Sequence, residues 1–167
     1  MGTPTEVRLV TYQDEYAQDF AALNYEWSEQ YFVVEEEDRK ALEHPRDYAI
    51  NKGGEIFFVL EDDRVVGTVA MVPHRWDDVR VFELAKMAVR PDRQGRGYSR
   101  MLMDACLEFA RARGADEIML VTNDVLSPAM GLYESAGFQR EPIMADQRYD
   151  RGNTQMTLVL QAEDTAS

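Results

Sequence analysis

The residues best placed to do chemistry lie in the run Met87-Ala88-Val89-Arg90-Pro91-Asp92-Arg93-Gln94-Gly95-Arg96-Gly97-Tyr98-Ser99. The apolar stretch up to Val89 reads as a strand, Arg90-Pro91 must end it, and a helical period begins at Tyr98. Gly95 and Gly97 therefore sit in a loop that leads from a strand into a helix N-terminus. Glycines there let the backbone approach a ligand closely, and the amides of the first helical turn have no partner inside the helix. With the helix dipole behind them, such amides form a site for an anion of the pyrophosphate kind. The local charge agrees. Residues 86–100 hold Lys86, Arg90, Arg93, Arg96 and Arg100 against Asp92 alone, a local sum of +4, in a chain whose 18 Lys+Arg and 31 Asp+Glu give −13. A short glycine pattern also spells a plain tight turn, so both readings stand at this point. Two nucleotide loops fail on spelling. No Lys follows Gly97 as a P-loop requires, and Arg100 stands where a dinucleotide fingerprint needs its third glycine.

Other reactive residues are few. Cys106 falls among Leu102, Ala105 and Phe109 on the apolar side of a helix, and only two histidines exist, His44 and His74. An inert buried thiol is therefore favoured over an acyl-enzyme nucleophile. No His, Cys or carboxylate pair has metal-ligand spacing, so no metal is implied.

The elements that hold these residues follow from the rest of the chain. Its 167 residues suit one domain, residues 1–167, and 45% hydrophobic content excludes wholesale disorder. A sequence pI near 4.5 argues against binding nucleic acid or anionic membrane, and weakly favours a cationic small molecule. A single cysteine excludes an internal disulfide and fits a reducing compartment. The first residues show no secretory pattern, Glu6 spoils a myristoylation signal, and no apolar run reaches ~18 residues. The expectation is a soluble, cytoplasmic domain without a membrane or nucleic-acid partner.

Periodicity predicts a strand at Val7–Val10, then a helix carrying Tyr16, Phe20, Leu23, Trp27 and Tyr31 and running to about Phe32. A second helix opens at Glu35-Glu36-Glu37-Asp38 and ends at His44-Pro45. Strands at 56–60 and 65–72, joined by the hairpin Glu61-Asp62-Asp63-Arg64, precede a longer strand at Val79–Val89. The helix from Tyr98 is capped by Gly114, and Ile118–Val121 is a buried strand. Ser127-Pro128 opens the last helix, which Gly137 ends, and strands around 138–145 and 155–160 close the domain. The class is α+β: a mixed, mostly antiparallel sheet of about six or seven strands with four helices. One strand-helix-strand crossover makes Val79–Val89 and Ile118–Val121 parallel. Parallel strands in such a sheet can splay apart and open a ligand slot.

These residues resemble the GNAT superfamily of acyl-CoA N-acyltransferases. Its phosphate loop, [Q/R]-x-x-G-x-[G/A] between a strand and a helix, is similar to Gln94-Gly95-Arg96-Gly97-Tyr98-Ser99, with Ser99 in place of the last Gly or Ala. Its A-x-x-L-Y-x-x-x-G-F helix and strand is similar to Ala129-Met130-Gly131-Leu132-Tyr133-Glu134-Ser135-Ala136-Gly137-Phe138, although Leu126 stands where many members carry Asn. Glu83-Leu84-Ala85-Lys86-Met87-Ala88-Val89 resembles the family's fourth strand.

The resemblance implies a GNAT fold with acetyl-CoA clamped between splayed strands four and five, and an acyl-CoA-binding core at about 79–138. Backbone at Met87, Ala88 and Val89 would pair with pantetheine like an added strand, and one strand-four amide would serve as oxyanion donor. Amides of Gln94, Gly95, Arg96, Gly97, Tyr98 and Ser99 would hold the pyrophosphate, with Asn123 also facing the site. Tyr133 would be the general acid toward the leaving thiolate, and Glu83 the base that takes a proton from the amine. The acceptor would be met by helices at about 14–52 and by Tyr149-Asp150-Arg151-Gly152-Asn153. Residues 26–47 sum to −5, and the aromatics Trp27, Tyr31 and Phe32 beside Glu35–Asp38 suit a small cationic amine. The same acids also read as an ordinary charged helix start. A peptide acceptor and a non-catalytic acyl-CoA-binding module are the alternatives, and a homodimer is common in the family.

Overall fold

The computed structural model describes residues 5–31, 36–122, 127–141 and 154–160. It begins with β1 (Val7–Thr11), a 3-10 turn (Asp14–Tyr16) and α1 (Ala17–Tyr31). Two short helices follow, α2 (Glu36–Glu43) and α3 (Pro45–Tyr48). Three strands come next: β2 (Glu55–Glu61), β3 (Arg64–Trp76) and β4 (Val79–Val89). The remainder is α4 (Tyr98–Ala112), β5 (Glu117–Thr122), α5 (Ser127–Ser135), β6 (Gln139–Glu141) and β7 (Thr154–Val159).

Four helices are expected from the sequence, and five are found among the described residues. Pro45 does end α2, but it also opens α3 from the first helical turn, where a missing N–H leaves no bond unmade. Asp62 and Asp63, with φ of 46° and 70°, form the two-residue turn between β2 and β3. That mirror-image turn matches strand twist, and Asp tolerates the left-handed region.

The seven strands form one sheet in the order β1-β2-β3-β4-β5-β7-β6. Alternation along β2, β3 and β4 divides the core between its two faces. Phe57, Val59, Val69, Met71, Phe82 and Leu84 pack with Leu102, Met103 and Cys106 of α4 and with Met130 and Tyr133 of α5. Ile56, Phe58, Leu60, Ala70 and Val72 pack on the other face with Phe20 and Leu23 of α1 and Leu42 of α2. Each of these large side chains contributes on the order of 1.5–3 kcal/mol on leaving water.

Two irregularities on β4 position the site. Its parallel pairing with β5 covers only Val81↔Glu117, Phe82↔Ile118 and Glu83↔Met119, then stops. β5 continues along β7 as far as Thr122↔Thr154, so beyond Glu83 the parallel strands part. The pairing with β3 steps from Ala70↔Ala85 to Thr68↔Ala88, which sets Lys86 and Met87 opposite Val69 alone. This is a β-bulge, and Lys86 takes a left-handed φ of 57° there.

Candidate active site

The glycine loop enters α4 as its spelling requires. Arg90 is tied back to β3 by its amide to the Val66 carbonyl at 2.9 Å, and a 3-10 turn spans Pro91–Arg93. Gly95 and Gly97 have φ of 83° and 84°, a region that favours glycine. A Cβ built on either would meet nothing within 4 Å, so the backbone itself borders open space. Gly97 is the N-cap of α4 and supplies no side-chain cap. Among the described residues, none of the amides from Gln94 to Arg100 donates to a protein acceptor. Consecutive unspent amides on open ground at a helix N-terminus fit a pyrophosphate.

The surplus charge around this loop is smaller than the sequence suggests. Lys86 Nζ lies 2.5 Å from Asp38 Oδ1 of α2, and Arg90 bonds twice to Asp92, at 3.0 and 3.1 Å. Arg93 Nε donates to Glu61 Oε1 at 2.7 Å, and Arg96 reaches Glu61 Oε2 at 3.4 Å. Arg100 donates to the Ser135 hydroxyl at 2.6 Å. Asp38 and Glu61 come from outside the run, and counting them lowers its excess from +4 to +2. The side chains of the loop thus carry only a small positive excess. Asp38, read from sequence as part of a charged helix start, is only 3% exposed and faces inward.

Glu83 is the last β4 residue paired with β5, and it is buried. It shares with Val72 the sheet face that packs on α1. His74 Nε2 lies 2.8 Å from Glu83 Oε1. The sequence reading ended β3 near Val72 and left His74 beyond it. β3 instead runs through Pro73 to Trp76, putting His74 opposite Val81, two residues from Glu83 on the same face. The signal was available in the hairpin register, since Asp77, with φ of 56°, marks the turn from which it is counted.

Tyr133 is buried on α5 and packs edge-on against Phe138 at 6.2 Å. Burial pushes its hydroxyl up to about 12, with Cys106 adding to the rise. Cys106 is completely buried, and desolvation raises its thiol well above the ordinary range, which leaves it unreactive. Met87, Ala88 and Val89 occupy the parted half of β4, beside and beyond the bulge. Asn123, Phe32, Glu35 and 149–153 lie outside the described residues. Among the described residues, no cluster of His, Cys, Asp and Glu is set to hold a metal, and no helix is long and apolar enough to cross a membrane.

A mixed sheet opened between its parallel strands, above a loop of unspent amides, defines the acyl-CoA acyltransferase class of fold. The chain belongs to the acetyltransferase (GNAT) family, whose model matches residues 10–138. Human N-acetyltransferase 8B is 34% identical over 94 residues, 54% of this chain and 41% of that protein. The match thus spans about two fifths of that relative's length. N-alpha-acetyltransferase 30 of Schizosaccharomyces pombe is 30% identical over 137 residues, 80% of this chain and 85% of that one. The yncA protein of Salmonella typhimurium, solved with its cofactor acetyl-CoA, superposes with a TM-score of 0.70 at 18% identity, over 96% of each chain.

Proposed function

We propose that this protein is an N-acetyltransferase that moves an acetyl group from acetyl-CoA directly to a primary amine. The observation that carries the reading is the parallel pairing that stops at Glu83, together with a loop whose amides have no protein acceptor among the described residues. The edge of β4 at Met87, Ala88 and Val89, beyond its pairing with β5, suits pantetheine, and the amides of Gln94 to Ser99 suit the pyrophosphate. The bulge at Lys86 and Met87 leaves a strand amide without a cross-strand duty, as an oxyanion donor requires.

An alkylamine arrives protonated, with a solution pKa of ~10.4. Glu83, supported by His74, accepts that proton directly or through one water. The freed nitrogen lone pair attacks the thioester carbonyl carbon, the C–S bond breaks, and sulfur leaves with the electron pair. Tyr133 donates a hydrogen bond to the departing thiolate. The nitrogen sheds a second proton as the amide forms, and one of the two released protons ends on sulfur.

The acceptor proposed is a small cationic amine, which the net charge of −13 attracts. A peptide amino-terminus is the second reading, and similarity to N-alpha-acetyltransferase 30 over 80% of this chain favours it. The test is a panel of polyamines, aminoglycosides and short peptides with acetyl-CoA, reading released thiol, alongside calorimetry with CoA. Thiol release with one acceptor class is expected. Absence of CoA binding at millimolar concentration would sink the proposal, and tight binding without turnover would leave only an acyl-CoA-binding module.

A further inference from the structure

Beneath the glycine loop lies a carboxylate that the reaction does not use. Glu61 is the last residue of β2, and the strand's period of two places it with Phe57 and Val59 on the face covered by α4. It is 7% exposed. A buried carboxylate next to an anion site is at first sight a liability, because it would repel the ligand. Here its charge is answered on every side. Arg93 Nε donates to Oε1 at 2.7 Å, Arg96 approaches Oε2 at 3.4 Å, and the Tyr98 hydroxyl donates to Oε2 as well.

The order of these partners along the chain matters. Arg93 precedes Gly95, Arg96 separates the two glycines, and Tyr98 follows Gly97. Three side chains that bracket both glycines turn inward to a single carboxylate. Backbone at both glycines borders open space, and among the described residues the amides from Gln94 to Arg100 find no protein acceptor. The two arginines are not equivalent. Arg93 is 27% exposed and makes the shorter contact, as a strut would, whereas Arg96 is 52% exposed and free to leave Glu61 for an arriving phosphate.

We infer that Glu61 is the positioning residue of the phosphate loop: it holds the loop backbone in its binding shape through Arg93 and Tyr98, and so sets affinity for the diphosphate half of the donor. The hydrogen bond from Tyr98, then that from Arg93, holds the carboxyl below its usual range, so it stays ionised wherever the enzyme works. This inference rests on the acetyl-CoA reading above.

The test is calorimetry on the whole chain with CoA, and with pantetheine, which lacks the diphosphate, followed by its competition against CoA. Glu61→Gln keeps the shape and removes the charge. A roughly tenfold loss of CoA affinity is expected, with pantetheine binding unchanged, since the loop backbone loses the charge that holds Arg93 and Tyr98 under it. Glu61→Asp, which restores the charge on a shorter arm, recovers part of the loss. Equal weakening of both ligands, or CoA affinity unchanged in Glu61→Gln, would overturn the role. Should Glu61→Gln fail to fold, Tyr98→Phe carries the same comparison with the same two outcomes. Failure of the wild-type chain to bind CoA would instead remove the acetyl-CoA reading itself.

Discussion

Tyr133 shows how burial can decide what a side chain contributes. Its hydroxyl, pushed up to about 12, stays protonated across the working range of an enzyme. A thiol has a pKa near ~8.5, so full proton transfer from this phenol to a thiolate is uphill. In the mechanism proposed above, Tyr133 would therefore contribute by donating a hydrogen bond to sulfur as charge develops. Tyr133→Phe should lower kcat on the order of a hundredfold, the usual cost of one such donor, with little change in the KM of either substrate. The pH–rate profile of the wild type should show no descending limb from Tyr133 below about pH 11. A limb near pH 10 that vanishes in Tyr133→Phe would contradict this. Glu83→Gln is the companion variant, and unchanged turnover would take Glu83 out of the mechanism. Neither His74 nor Glu61 stands out in the sequence. His74 matters only once β3 is known to pass Pro73, and Glu61 reads as one more acid in a hairpin turn. A side chain defined by a distant partner leaves no local pattern.

At the level of elements, what was legible was whatever repeats locally. The wet stripe Arg100, Asp104, Glu108 and Arg111 of α4 is exposed, and Leu102 and Ala105 opposite it are buried. The order of the strands, the parallel crossover and the glycine-led entry to α4 were readable for the same reason. The tie from Lys86 to Asp38 was not, because it joins a bulge on β4 to α2 across 48 positions. Glycines divide along the same line. Gly54 has an ordinary φ, but a Cβ there would sit 2.0 Å from the Met71 carbonyl oxygen, so the close approach of two backbones demands it. Gly97 borders open space and needs only its left-handed φ of 84°. Gly54→Ala should therefore cost at least ~2 kcal/mol of folding stability by overpacking. Gly97→Ala should cost only ~1–2 kcal/mol for the left-handed residue, yet weaken CoA at least tenfold, because its methyl enters the space the amides face. Denaturant melts paired with calorimetry separate the two. Loss of stability without loss of CoA affinity in Gly97→Ala would show that the loop's open side does not meet the ligand.

Charge is a property of the whole molecule, and it would act with opposite sign on an anionic donor and on the cationic acceptor proposed above. At −13 the protein repels an anionic donor at long range, and the loop retains only a small positive excess once Asp38 and Glu61 are counted. Donor binding through the proposed loop would therefore rest on short-range amide contacts, which salt screens weakly. A small cationic acceptor would instead be drawn in by the whole field, over a Debye length of about 30 Å at 0.01 M ionic strength and about 8 Å at 0.15 M. Raising ionic strength between those values should raise the KM of such an amine severalfold, through slower capture, while the KM of acetyl-CoA holds or falls. An uncharged peptide offering only its amino-terminus, with one charge to steer, should respond much less. Initial rates at saturating donor, with each acceptor class at both salt concentrations, give the comparison directly. An amine KM that stays flat or falls with salt would mean that the acidic surface does not guide the acceptor, and the peptide reading would then be preferred.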